Sequence, residues 1–155
     1  MADINLDNQG KKEIADGLNI YLANLHVLYT KLHNYHWNIK GKNFFQLHSK
    51  LEELYDHTAE EIDEVAERIL QLGHKPDATM KTYLEKAQLK EAESKNYNGE
   101  EVINSLLEDF KKLIQELRKG IELSGKYNDE VTTDMAIGTL AHLEKNVWML
   151  ESYLG

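Results

Sequence analysis

Pro76 is the only proline in 155 residues, so almost nothing in the chain forbids helix, and apolar residues recur at the three- and four-residue spacing that one helix face requires. The glycines then act as punctuation. A first long helix is expected to start near Asp7 or Asn8, either of which can cap it, and to bury Ile14, Leu18, Tyr21, Leu22, Leu25, Leu28, Tyr29 and Leu32 before ending ahead of Gly41. A second opens at Asn43 as cap, buries Leu47, Leu51, Leu54, Ile62, Val65 and Ile69, and stops at Gly73 with Pro76 shortly after. A third runs from Asn98 as cap to Gly125. The last runs from about Asp129 to Leu154 through Met135, Leu140, Leu143, Val147, Trp148 and Leu150. Between His74 and Asn98 lies a stretch far longer than a hairpin needs, with a short helix expected around Thr82 to Leu89. Short turns on either side of one long crossover give two antiparallel pairs with the second and third long helices parallel: an all-α four-helix bundle.

The totals fit a single domain over residues 1–155, long enough to bury a core without disulfide or metal staples. The absence of cysteine removes disulfides, thiolate metal ligands and cysteine nucleophiles. With 27 acidic residues against 18 Lys and Arg, the net charge of -9 weakens attraction to phosphate backbones and favours cations. The first twelve residues set Asp3 and Asp7 against Lys11 and Lys12, unlike a basic nucleic-acid-binding tail. No cationic leader with an apolar core is present, and no apolar run approaches the roughly 20 residues of a membrane span. The expectation is a cytoplasmic protein without a membrane segment.

The chemistry concentrates between Leu32 and Arg68. His33 and His36 lie near the end of the first helix, Trp37 and Gly41 follow, and His48 comes after Phe44 and Phe45. His48 and Glu52 form an i, i+4 pair, as do Asp63 and Glu67, so each pair shares a helix face. Imidazole nitrogen and carboxylate oxygen without thiolate suit Fe(II) or Zn(II), and the ligand types alone do not choose between them. Spacing restricts the arrangement more tightly, because the stretch from His48 to Asp63 covers about 22 Å of one helix. One chain cannot close both residues around one ion. The Gly41 turn brings His36 back toward His48, whereas Asp63 and Glu67 stay at the far end. A two-fold pairing, in which the histidine end of one subunit meets the carboxylate end of another, is the simple solution.

Taken singly, these residues have ordinary readings too. His36 and His48 could be polar or core histidines, and Asp63 and Glu67 belong to a stretch, Glu60 to Glu64, that is acidic almost throughout. An iron site inside one bundle needs Glu three residues before His on two helices. The residues in that position are Ala23, Thr30, His33, Phe45, Leu54, Gln71 and Thr139, so that pattern is absent. His57, His74 and His142 have no comparable partners and read as ordinary histidines. Asp129, Glu130 and Asp134 cluster where carboxylates favour the helix N-terminal dipole.

As a set, the spacing of His36, His48, Glu52, Asp63 and Glu67, with Trp37, Gly41, Phe45, Tyr55 and Ala66-Glu67-Arg68, resembles the Dps family, the miniferritins, over nearly the whole chain. The resemblance implies a ferritin-like bundle assembled as a hollow homododecamer. It implies ferroxidase sites at the two-fold interfaces, with His36, His48, Asp63 and Glu67 as ligands and a pair of iron ions at each. Fe(II) would be oxidised preferentially by hydrogen peroxide and stored as Fe(III), consuming both Fenton reagents. Glu52, where the family often carries Asp, and His33 are further candidate ligands, and Trp37 is a candidate electron donor. Asp129, Glu130 and Asp134 match the acidic lining of three-fold pores. Zinc is a candidate competitor for the iron site. Two alternatives remain: a DNA-compacting protein, disfavoured by the acid excess, and a metal buffer without redox turnover.

Overall fold

The computed structural model describes residues 3–155, with Met1 and Ala2 outside the described residues. Five helices account for 78% of the described residues: α1 (Asn8–Asn38), α2 (Phe44–Gln71), α3 (Met80–Lys86), α4 (Gly99–Lys126) and α5 (Glu130–Leu154). Their starts follow local chemistry. Asp7 caps α1 by accepting from the Gly10 amide, and Asn98 forms a reciprocal capping box with Glu101. Asn43 takes the position before α2 but makes no cap bond, because its Nδ2 donates to the Tyr153 hydroxyl at 2.7 Å instead. Gly41 at φ 119° and Gly73 at φ 83° bracket α2, a backbone region where L side chains are strained.

Side-chain pairs fix the topology. Lys31 meets Asp109 and Tyr35 meets Ser105, which sets α1 antiparallel to α4. Arg118 with Glu144 and Lys111 with Glu151 set α4 antiparallel to α5. His36 against His48 folds α2 back on α1. The second and third long helices are therefore parallel, as the crossover length requires. The core between them is aliphatic, with Leu22, Leu25, Leu32, Leu51, Ile69 and Leu106 sealed around Phe110. Two ion pairs are buried with it: Lys31 to Asp109 and Arg68 to Asp129, each at 2.7 Å. Burial pushes the Asp109 carboxyl up, against the pull of Lys31.

The crossover is held along α1 by four asparagines. Asn19 accepts from the Asp77 amide, Asn24 accepts from the Gln88 and Leu89 amides, Asn34 donates to the Ala92 and Glu93 carbonyls, and the Asn38 carbonyl accepts from Tyr97. These bonds explain a shift from the expected short helix. Thr79 caps α3 early through the Thr82 amide, and Asn24 takes the amides of Gln88 and Leu89, so the helix ends at Lys86 and Leu89 becomes a buried anchor in the bend that follows. Trp148 is a second correction. Leu140, Leu143 and Leu150 form the buried face of α5, and Trp148 lies off that stripe at 65% exposed.

Candidate metal centre

The turn between α1 and α2 makes the histidine pair. Ile39 leaves α1 extended, Gly41 reverses the chain, and α2 starts at Phe44, so His36 and His48 face each other. Their rings stack at 3.6 Å between centroids, 16° from parallel. Each Nδ1 lies 2.8 Å from the other residue's backbone carbonyl. A carbonyl can only accept, so each Nδ1 carries a proton, which leaves Nε2 as the nitrogen that could bind a metal ion. Phe44 stacks on His48, and Tyr55 stands edge-on to His36 while stacking on His33 at 3.9 Å.

The carboxylates lie elsewhere. α2 is unbroken from Phe44 to Gln71, so His48 and Asp63 are separated by about 22 Å of helix. Asp63 and Glu67 are both exposed. Among the described residues, no three His, Asp or Glu side chains converge on one point within the subunit.

The remaining candidates divide. His33 bonds its Nδ1 to the Tyr29 carbonyl at 3.0 Å and sits 5.2 Å from the Trp37 ring. Trp37 is 67% exposed. Glu52 is exposed, one helical turn before Tyr55. Desolvation, and then the Glu52 charge, raise the Tyr55 phenol above its ordinary value. Of the acidic cluster at the start of α5, Glu130 and Asp134 are exposed, but Asp129 is not available to a pore. It is 1% exposed, bonded to the Arg68 guanidinium at 2.7 Å, and caps α5 through the Thr132 amide and hydroxyl. A buried carboxylate so fully engaged holds α2 to α5.

His57 and His142, read as ordinary histidines, meet each other in the fold. Their rings stack at 3.6 Å, joining α2 to α5. His57 Nε2 bonds Glu61 at 2.7 Å, and Asn146 lies 3.2 Å from His142 Nε2. The Glu61 carboxylate raises the His57 pKa, whereas burial and then the neighbouring His57 push His142 down to about 4. The i, i+4 spacings of His57 to Glu61 and His142 to Asn146 were the sequence signal for this cluster.

Residues 15–155 match the ferritin-like domain family. General stress protein 20U of Bacillus subtilis is 46% identical over 144 residues, covering 93% of this chain and 99% of that protein. DNA protection during starvation protein 2 of Bacillus anthracis is 45% identical over 143 residues, 92% of this chain and 97% of that one. A solved Dps protein from Vibrio cholerae O1, described as a member of a broad superfamily of ferritin-like diiron-carboxylate proteins, superposes with a TM-score of 0.95. It is 39% identical and covers 100% of this chain and 97% of its own.

Proposed function

Because the chain belongs to the Dps family of ferritin-like proteins, we propose that it is a miniferritin that oxidises Fe(II) at sites shared between subunits and stores the Fe(III) inside a hollow homododecamer. The observation that carries this reading is the reciprocal His36 and His48 pair, with both Nε2 atoms unengaged within the subunit and the matching carboxylates a helix length away on the same chain. His36 and His48 of one subunit and Asp63 and Glu67 of a neighbour take the Fe(II) substrate. Imidazole nitrogen favours Fe(II), and hard carboxylate oxygen accommodates the Fe(III) that forms. Hydrogen peroxide is the preferred oxidant. Each molecule takes one electron from each of two Fe(II) ions and, with two protons, leaves as water. Both Fenton reagents are thus consumed at a fixed place, in the cytoplasm.

The side chains around the ligands divide the remaining work. The crossed bonds from Nδ1 to carbonyl keep the two imidazoles oriented, Glu52 and His33 extend the site, and the exposed Trp37 supplies an electron when iron is short. Glu130 and Asp134, on the exposed start of α5, line the entry for cations. Zn(II) suits the same donors and competes for them. The relatives' name raises DNA as a second partner, but a net charge of -9 opposes phosphate backbones, and a gel shift at low salt is expected to show free DNA. The iron reading is tested by loading the assembled protein anaerobically with Fe(II) and adding peroxide. Peroxide consumption and iron retention are expected to collapse in a His36→Ala, Asp63→Ala double variant. Unchanged consumption and retention would overturn the proposal.

A further inference from the structure

Trp37 follows His36 in the sequence, yet the two rings do not meet. Consecutive helical residues point about 100° apart, and among the described residues the one ring that Trp37 approaches is His33, at 5.2 Å between centroids. The aromatic side chains that reach His36 and His48 are others. Phe44 stacks on His48 at 4.9 Å, and Tyr55 stands edge-on to His36 at 5.2 Å and 89°, both within the range of rings in contact. Phenylalanine has no group that gives up an electron readily, and the chain contains no cysteine. Tyr55 is therefore the oxidisable side chain in ring contact with the histidine pair.

The surroundings of Tyr55 connect it in two directions. Toward α1 it stacks on His33 at 3.9 Å and 18°, and His33 leads on to the exposed Trp37. Along α2 it lies seven residues after His48 and three after Glu52, so the three share a helix face. Aromatic side chains on a helix lean back over the preceding turn, which carries the phenol toward the Glu52 carboxylate. A tyrosine phenol keeps its proton at neutral pH, its ordinary pKa being about 10, and so loses an electron only together with that proton. A carboxylate one turn away is the base such a step requires.

Resting on the iron reading above, we propose that Tyr55 is the electron donor beside His36 when peroxide meets a single Fe(II), with Trp37 behind it through the His33 ring. Peroxide then takes one electron from Fe(II) and one from Tyr55, takes two protons from solvent, and leaves as two water molecules. The phenol passes its own proton to Glu52 and becomes a neutral tyrosyl radical. The O–O bond is broken without release of a hydroxyl radical. Trp37 restores Tyr55 by returning an electron through His33, losing its indole proton to solvent while the phenol takes its proton back from Glu52.

The test is electron paramagnetic resonance of the assembled full-length protein, loaded anaerobically with fewer Fe(II) ions than sites, mixed with an equal amount of peroxide and frozen. Fe(III) and any organic radical are read in the same sample. The wild type is expected to show Fe(III) together with a tyrosyl radical whose lines narrow when the protein is made with ring-deuterated tyrosine. Tyr55→Phe keeps the ring and should lose that signal, while a spin trap in solution begins to report hydroxyl radical. Trp37→Phe should retain the tyrosyl signal and lengthen its lifetime. Fe(III) without a tyrosyl signal in the wild type, or a tyrosyl signal that survives Tyr55→Phe, would overturn the assignment and leave the iron reading standing. A tyrosyl signal lost in Trp37→Phe would overturn the order of the two donors. Absence of Fe(III) from the wild type would overturn the iron reading and this one together.

Discussion

Two pairs of histidines stack in this subunit at the same 3.6 Å centroid distance, and they are chemically opposite. In the pair at the α1 to α2 turn, both Nδ1 atoms are tied to carbonyls and neither Nε2 is engaged within the subunit. In the pair between α2 and α5, one Nε2 is bonded to the Glu61 carboxylate and the other faces the Asn146 amide. The first pair leaves both Nε2 atoms without a bond inside the subunit, whereas the second spends its donors on the bundle's own helices. Ring stacking therefore says little about function, and the partner of the second nitrogen says most of it.

The largest expected effect separates the two pairs by activity. His48→Ala should slow peroxide-driven Fe(II) oxidation by more than about a hundredfold, beyond what loss of an outer partner costs a metal site, whereas His142→Gln should leave the rate unchanged. Equal losses in both variants would erase the distinction. A smaller effect concerns stability. Glu61→Gln removes the charged acceptor of His57 and is expected to cost about 1 kcal/mol, reduced from the worth of a buried charged bond because His57 is partly exposed. A thermal melt at neutral pH reads it, and a melting temperature that does not fall would show the bond to be incidental.

The subtlest effect is in pH dependence. His142 resists protonation until about pH 4 in the folded protein, while an unfolded histidine takes up its proton near 6.5. The unfolded state thus binds the extra proton first, and stability contributed by a neutral His142 is lost as pH falls from about 6.5 toward 4. His57 acts in the other sense. Its pKa is raised, so its contribution is complete below the ordinary value and is lost as pH rises through the raised one. Imidazole proton shifts followed by NMR should find His57 charged and His142 neutral at pH 5. Titration of both near 6.5 would contradict the assignment.

How much of this was legible beforehand depended on the range of the interactions. The caps at Asp7 and Asn98 and the stop at Gly73 lie next to the elements they bound, and local chemistry located them. The C-terminal end of α3 was out of reach because Asn24, which takes the Gln88 and Leu89 amides, is more than sixty residues away. Asp129 failed for the same reason. Its sequence neighbours are acidic, and only the fold supplies Arg68 from α2. In the metal centre the spacing announced that His36 and His48 would meet, but the crossed bonds to backbone carbonyls that set both tautomers depend on the register of α2 against α1.

The claim that the iron site is shared can be tested by complementation. One set of subunits carries His36→Ala with His48→Ala, and the other carries Asp63→Ala with Glu67→Ala. Each is expected to assemble and to be inactive alone. Refolded together in equal amounts, random two-fold pairing should restore about a quarter of the sites, because half of the pairs are mixed and each mixed pair holds one complete site. Recovered Fe(II) oxidation near that level is the predicted result. Mixed assemblies as inactive as their parents, or full activity in either parent, would contradict it.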